Sequence, residues 1–379
     1  FMNLFAGTSL SVDAKDSTKY SLQFSTLSPL MGKDFYADAA PAQYNSYIKF
    51  LKSVLMLSGE DENAAAGDAE KIYNLEKTLS ASTLNPQDYY NVDKVYNAYK
   101  FDDLAKQLGN IDLNKVLTED GLKKEDIIIV SDVGLTEEFV KLYTDDNIES
   151  LKAAAKFNII SGFGSALSSE YTTIADTFNQ EYIGISGSYS DDEKAIASLE
   201  SIMPEYMGKL YSDKFFSEEA KKDVTSMIKD MISVYDKRID NLSWMSSATK
   251  EKAKEKLASI KIKVGYPDKW DTYMDNVDIK SKSEGGSYFD NVLAIAKEAC
   301  AYGVSQQGKP VDKDVWAMPA FMVNACYDPS ANDITFPAAI LQAPMYDVNA
   351  SYEQNLGGIG FVIAHEITHA FDNSGAKFD

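Results

Sequence analysis

The chain has 379 residues, 45% of them hydrophobic and 25% charged, a composition that fits a folded protein with room for two domains and excludes a disordered or fibrous one. Against 37 Lys and Arg stand 58 Asp and Glu, a formal net charge of −21, and the resulting repulsion argues against nucleic acid or an anionic membrane surface as the main partner. Arg238 is the only arginine, and the two cysteines, Cys300 and Cys326, are too few for a disulfide scaffold or a thiolate metal site. They could pair with each other or remain free, and two free, buried thiols are the expectation. No apolar run is long enough to make a membrane span in this chain.

Helical periodicity dominates the chain. Tyr44, Tyr47, Ile48, Leu51, Val54 and Leu55 recur every three or four residues and predict an amphipathic helix ended by Gly59. Ser58 to Gly67 reads as an acidic, alanine-rich turn, and Ser186 to Asp192 as a polar linker between helices. Gly162-Phe163-Gly164 is half of a dinucleotide fingerprint without its third glycine or a preceding strand, and carries no weight.

A second amphipathic helix is predicted behind Ser217. Glu218 and Glu219 stand in its first turn, and Val224, Met227, Ile228, Met231, Ile232, Tyr235 and Ile239 line its apolar face. Ser246 to Ile260 is a third helix, closed by Gly265-Tyr266-Pro267. The methionine and aromatic stripes read as core packing. Ser281 to Ser287, with Gly285-Gly286, is the candidate domain boundary. Beyond it, Phe321 to Tyr327 and Asp333 to Phe336 flank the turn-rich Asp328 to Asn332 and predict a hairpin. Such a strand edge either builds the sheet alone or pairs with an extended peptide.

The only two histidines stand four residues apart with a glutamate after the first: His365-Glu366-Ile367-Thr368-His369. On a helix, residues i and i+4 share one face, so both imidazoles reach one ion while Glu366 sits beside them. Zinc suits that set: it takes neutral imidazoles, keeps a position for water, lowers that water's pKa to about 7, and leaves an adjacent carboxylate to accept the proton. A thermolysin-like site also needs a third protein ligand, commonly a glutamate downstream. Only ten residues follow His369, and none supplies it; the histidine-based alternative fails because Asp372 and Gly375 occupy its positions.

Several blocks, in order, resemble the neprilysin family of zinc endopeptidases, peptidase family M13, including its bacterial oligopeptidase O-like members. They are Leu242-Ser243-Trp244-Met245 through Val264-Gly265-Tyr266-Pro267, Pro310 to Trp316, Val323-Asn324-Ala325-Cys326-Tyr327, Phe336 to Leu341, Asn355 to Gly360, and Val362 to Asp372. Lys15 to Tyr20 fits more loosely. Cys326 stands where the family carries an aromatic residue, and Leu356 where it carries a tyrosine.

The resemblance implies a mainly α (α+β) fold, with a large helical domain capping a thermolysin-like catalytic domain. Residues 1–285 would form the mostly helical cap and 286–379 the N-terminal part of the catalytic domain, truncated before the third zinc ligand. It implies His365 and His369 as zinc ligands, Glu366 as the catalytic base, and Asn324 and the Ala325 backbone as binders of substrate main chain. Oligopeptides would be the substrates. The chain is therefore read as an internal fragment of a longer peptidase, with the missing C-terminal segment of the same protein as a partner. The alternative is a catalytically incompetent helical module that only binds peptides or a partner chain.

Overall fold

A computed structural model describes residues 4–184, 187 and 189–378. The fold is mainly α, with two small sheets. The chain divides into two compact units, each drawn from separated stretches: 1–13, 18–190 and 273–310 in the first, 14–17, 191–272 and 311–379 in the second. Ser281 to Ser287 lies inside the first unit, where Ser281 and Glu284 form a capping box on one 3₁₀ turn. Ser287 then caps the helix Tyr288–Ser305. No helix of the described residues is long and apolar enough to cross a membrane.

In the first unit, strands β1 (Ala6–Asp13), β2 (Asp16–Thr26), β3 (Asn97–Lys100) and β4 (Ile127–Val130) form a sheet in the order β1-β2-β4-β3. The β-branched run of β4 pairs in parallel with β2, Leu22 opposite Ile128 and Phe24 opposite Val130, and antiparallel with β3. The first predicted helix runs Pro41–Leu57 and buries Tyr47, Leu51, Val54 and Leu55. The turn expected over Ser58 to Gly67 is shorter than that. Asp61 accepts from the amides of Asn63 and Ala64 and starts the helix Glu62–Ser82, whose alanines are strong helix formers. Gly162 to Gly164 lies within the helix Ile148–Leu167. In the linker expected over Ser186 to Asp192, Ser186 and Ser188 lie outside the described residues, and Asp191 already opens the helix Asp191–Ile202. Both cysteines are free, but Cys300 is exposed and Cys326 only half-buried, so the expected burial is corrected: Cys300 falls on the solvent side of its helix.

A buried carboxylate is set into this first core. Glu76 accepts from the hydroxyls of Tyr36 (3.0 Å) and Tyr47 (2.6 Å) and from the Leu30 amide (3.2 Å). Burial nevertheless wins and pushes its carboxyl above the ordinary value, against the three donors. A folded-state pKa raised above that of the unfolded chain means that the fold binds the proton more tightly, so this group's contribution to stability falls as pH rises through the raised value. Relative to Glu76→Gln, the wild type is therefore expected to gain stability between pH 7 and pH 5. Denaturant melts of the two proteins at both pH values check this, and a constant difference would contradict it.

In the second unit, β5 (Lys261–Gly265), β6 (Cys326–Asp328) and β7 (Asp333–Pro337) form a sheet in the order β5-β7-β6. β5 runs parallel to β7, with Val264 opposite Phe336; β6 runs antiparallel to it, with Cys326 opposite Thr335. The first arm of the predicted hairpin is shorter than expected, since Phe321 to Ala325 is not strand. A turn bond from the Met322 amide to the Pro319 carbonyl and the Asn324 side chain on its neighbouring amide take backbone groups that a ladder needs. Asn332, at φ 49°, makes the tight turn, held by Tyr327 through its amide oxygen and donating to Lys256 and Ser259.

All of β7 is buried. Its Asp333 pairs with Lys263 at 2.5 Å, the two side chains 1% and 5% exposed, and Lys263 also donates to the Val315 carbonyl at 2.7 Å. The predicted helices run Glu218–Asp240, capped by Ser217, and Ser247–Ala258, capped by Ser246. Val224, Met227 and Ile228 of the former are fully buried, as the periodicity requires. Gly265 lies at φ 77°, and a Cβ there would meet the Phe216 ring at 2.2 Å, so only glycine closes β5.

Candidate active site

The motif lies on the helix Ile359–His369. Ile359, Ile363 and Ile367, four apart, are fully buried in one core with Val224, Met227 and Ile228, and this apolar stripe fixes the rotation of the helix. Two glycines allow the close approach. A Cβ on Gly358 would stand 2.3 Å from the Met345 carbonyl oxygen, and one on Gly360 2.9 Å from Met231 Cε. The Ile359 amide bonds that same Met345 carbonyl, and the Tyr235 hydroxyl donates to the Ala364 carbonyl at 3.0 Å. With the isoleucines inward, His365 is left exposed, His369 half-buried and Glu366 buried.

The two imidazoles point at each other: His365 Nε2 and His369 Nε2 are 3.0 Å apart. One ligand atom from each of His365, Glu366 and His369 falls within 4.8 Å of the others, the one such cluster among the described residues. Two nitrogens bound at 2.0–2.1 Å to one tetrahedral ion stand about 3.3 Å apart, so the observed spacing fits a shared zinc with small adjustment. The tautomer fits as well. His369 Nδ1 is 2.7 Å from Asp372 Oδ2, and an Nδ1–H donated to that carboxylate would leave Nε2 with a free lone pair.

Asp372 went unassigned in the sequence. Its other oxygen accepts from the amides of Ser374 (2.8 Å) and Gly375 (2.7 Å). Burial opposes its charge, but His369 and those two amides outweigh burial and hold its carboxyl below the ordinary value. The signal available was its i+3 offset from His369, just past the helix end.

Burial pushes the Glu366 carboxyl above the usual carboxylate range, while the two imidazoles and the Tyr327 backbone amide pull the other way. Tyr327 belongs to β6, the edge strand, which packs against the motif helix. Cys326, next along β6, is pushed up to about 11 by burial and the nearby acids, which makes it a neutral thiol at neutral pH. Asn324 is exposed and Ala325 half-buried. The Asn324 side-chain oxygen accepts from the Ala325 amide at 2.9 Å, so these two candidate binding groups are turned toward each other.

A helix-borne imidazole pair with a buried carboxylate beside it is a donor set that could hold a zinc ion. Family models described as peptidase family M13 match residues 2–267 and 324–379, and the chain belongs to that family. It is 33% identical to a neutral endopeptidase of Lactococcus lactis over 374 residues, 98% of this chain and 59% of that protein. A neutral endopeptidase of Lactobacillus helveticus is also 33% identical, over 86% of this chain and 50% of its own length. Human neprilysin is 28% identical over all of this chain and 53% of its own. Among solved structures, PepO from Lactobacillus rhamnosis superposes with a TM-score of 0.92 at 25% identity, over 100% of this chain and 60% of that one. The Mycobacterium tuberculosis zinc metalloprotease Zmp1 in complex with inhibitor superposes with a TM-score of 0.87 at 29% identity, over 99% and 57%. The chain thus spans half to three fifths of the length of these relatives.

Proposed function

We propose that this chain is part of a longer zinc endopeptidase that hydrolyses oligopeptides. In this reading His365 and His369 hold the zinc through Nε2, and a third protein ligand comes from sequence other than residues 1–379. Asp372 orients His369. The second compact unit, in which the helices Glu218–Asp240 and Ser247–Ala258 share one apolar core with the motif helix, serves as the first part of a thermolysin-like catalytic domain. Residues 1–379 alone, lacking the third ligand, are catalytically incompetent.

The observation that carries this reading is the pair of Nε2 atoms 3.0 Å apart with the Glu366 carboxylate beside them. Zinc held by His365 and His369 would supply a Lewis acid there, able to acidify water to a pKa of about 7 and to polarise a peptide carbonyl. Glu366 accepts the proton of the attacking water and passes it to the departing amine. Its buried position directly beside the two imidazoles places the carboxylate where it can make both transfers. Asn324 and the Ala325 backbone bind the main chain of the substrate, which requires the Asn324 side chain to rotate off the Ala325 amide. The β6 edge lies alongside and offers strand-type pairing. The exchange Glu366→Gln tests the reading, because it removes the proton acceptor and leaves the imidazoles in place.

A further inference from the structure

We propose that Lys256 is a positioning residue for the metal-binding histidine pair, acting through the segment that follows the motif helix. This rests on the metal reading of His365 and His369. Lys256 sits in the last turn of the helix Ser247–Ala258, and its ammonium donates to two carbonyls of that segment, Gly375 and Phe378, each at 2.6 Å. Gly375 faces two ways. Its carbonyl meets Lys256, and its amide meets the Asp372 carboxylate at 2.7 Å, whose other oxygen meets His369 Nδ1 at 2.7 Å.

The link is tight at each joint. A Cβ on Gly375 would lie 1.9 Å from the His369 carbonyl oxygen, so the segment passes directly against the end of the motif helix and has no slack for a side chain. The Lys256 carbonyl is itself bonded by Asn332 at 3.1 Å, which ties this end of the helix to the β6–β7 turn. A cation that clamps two carbonyls fixes the turn 375–377, the turn aims two amides at Asp372, and Asp372 in turn fixes the His369 ring and tautomer. Lys256 touches neither substrate nor ion in this scheme. Its effect is on how well the lone pair of His369 is aimed before any metal arrives.

The test measures zinc affinity of the parent protein by competition with a chromophoric chelator. Lys256→Met, which keeps the aliphatic stem, is expected to weaken binding roughly tenfold, and Lys256→Arg, which can still donate to both carbonyls, to restore most of it. Asp372→Asn is also expected to weaken binding, and Lys256→Met on that background to add nothing, because both act on one imidazole. In the metal-free protein, amide exchange at Ser374 and Gly375 is expected to speed up in Lys256→Met. Unchanged affinity and exchange, or additive losses in the double variant, would overturn the proposal. Lys256→Gln repeats the test should the methionine variant be unstable. His365→Ala separates the two readings: if it binds zinc as the wild type does, the metal reading itself fails; if it loses zinc while Lys256→Met does not, only the role of Lys256 fails.

Discussion

In the parent protein, Glu366→Gln is expected to lower kcat for an oligopeptide by about 10²–10⁴-fold, the contribution typical of a positioned general base, with zinc content unchanged. The amide is nearly isosteric and fits the same buried position beside β6. It cannot take a proton. If Glu366 served only to balance charge beside the histidines, the loss would appear as reduced zinc content and would be repaired by excess zinc. Steady-state kinetics together with metal analysis separate these cases, and turnover within about tenfold of the wild type would remove Glu366 from proton transfer.

Asp333→Ala is expected to destabilise the second unit by about 3–5 kcal/mol, because it strands the buried Lys263 ammonium. Lys263 would keep one hydrogen-bond partner, the Val315 carbonyl, and lose its paired carboxylate at a site 5% exposed. The double variant Lys263→Met with Asp333→Leu removes both charges and is expected to recover most of the loss, since a buried pair and an apolar pair of similar volume are often close in free energy. Denaturant unfolding checks both. A single-variant cost below about 1 kcal/mol would show that water reaches the pair. The pair also matters to the site: it joins β5 to the central β7, which carries β6, the strand that packs against the motif helix.

What the sequence made legible was what local geometry decides. The histidine pair and its glutamate are separated by a single helical turn, and helical spacing alone brings them together. The Glu218–Asp240 helix was readable from its Ser217 cap and apolar period, and both held because the side chains that set the pattern also make the core. The opening of the Glu62–Ser82 helix was missed because an acidic, glycine-containing stretch scores as turn, although Asp61 is a good cap and alanine a strong former. The short β6 was overestimated because β-branched and aromatic content does not register a side chain such as Asn324 taking the neighbouring amide.

Tertiary partners were beyond reach. The Asp372 bond to His369 depends on a reversal after the helix, and the Lys256 bonds to Gly375 and Phe378 span 119 and 122 residues. Neither leaves a periodic trace. The family blocks supplied what local geometry does not, namely the order of motifs around the helix, and the M13 matches at 2–267 and 324–379 agree with that assignment.

The most direct measurement is a zinc-edge anomalous difference map from a crystal of the parent protein. A single strong peak is expected about 2.0–2.1 Å from both His365 Nε2 and His369 Nε2, with a third side chain from outside residues 1–379 and with Glu366 beside the ion but not bound to it. A peak bound elsewhere, or none between the imidazoles at saturating zinc, would contradict the account.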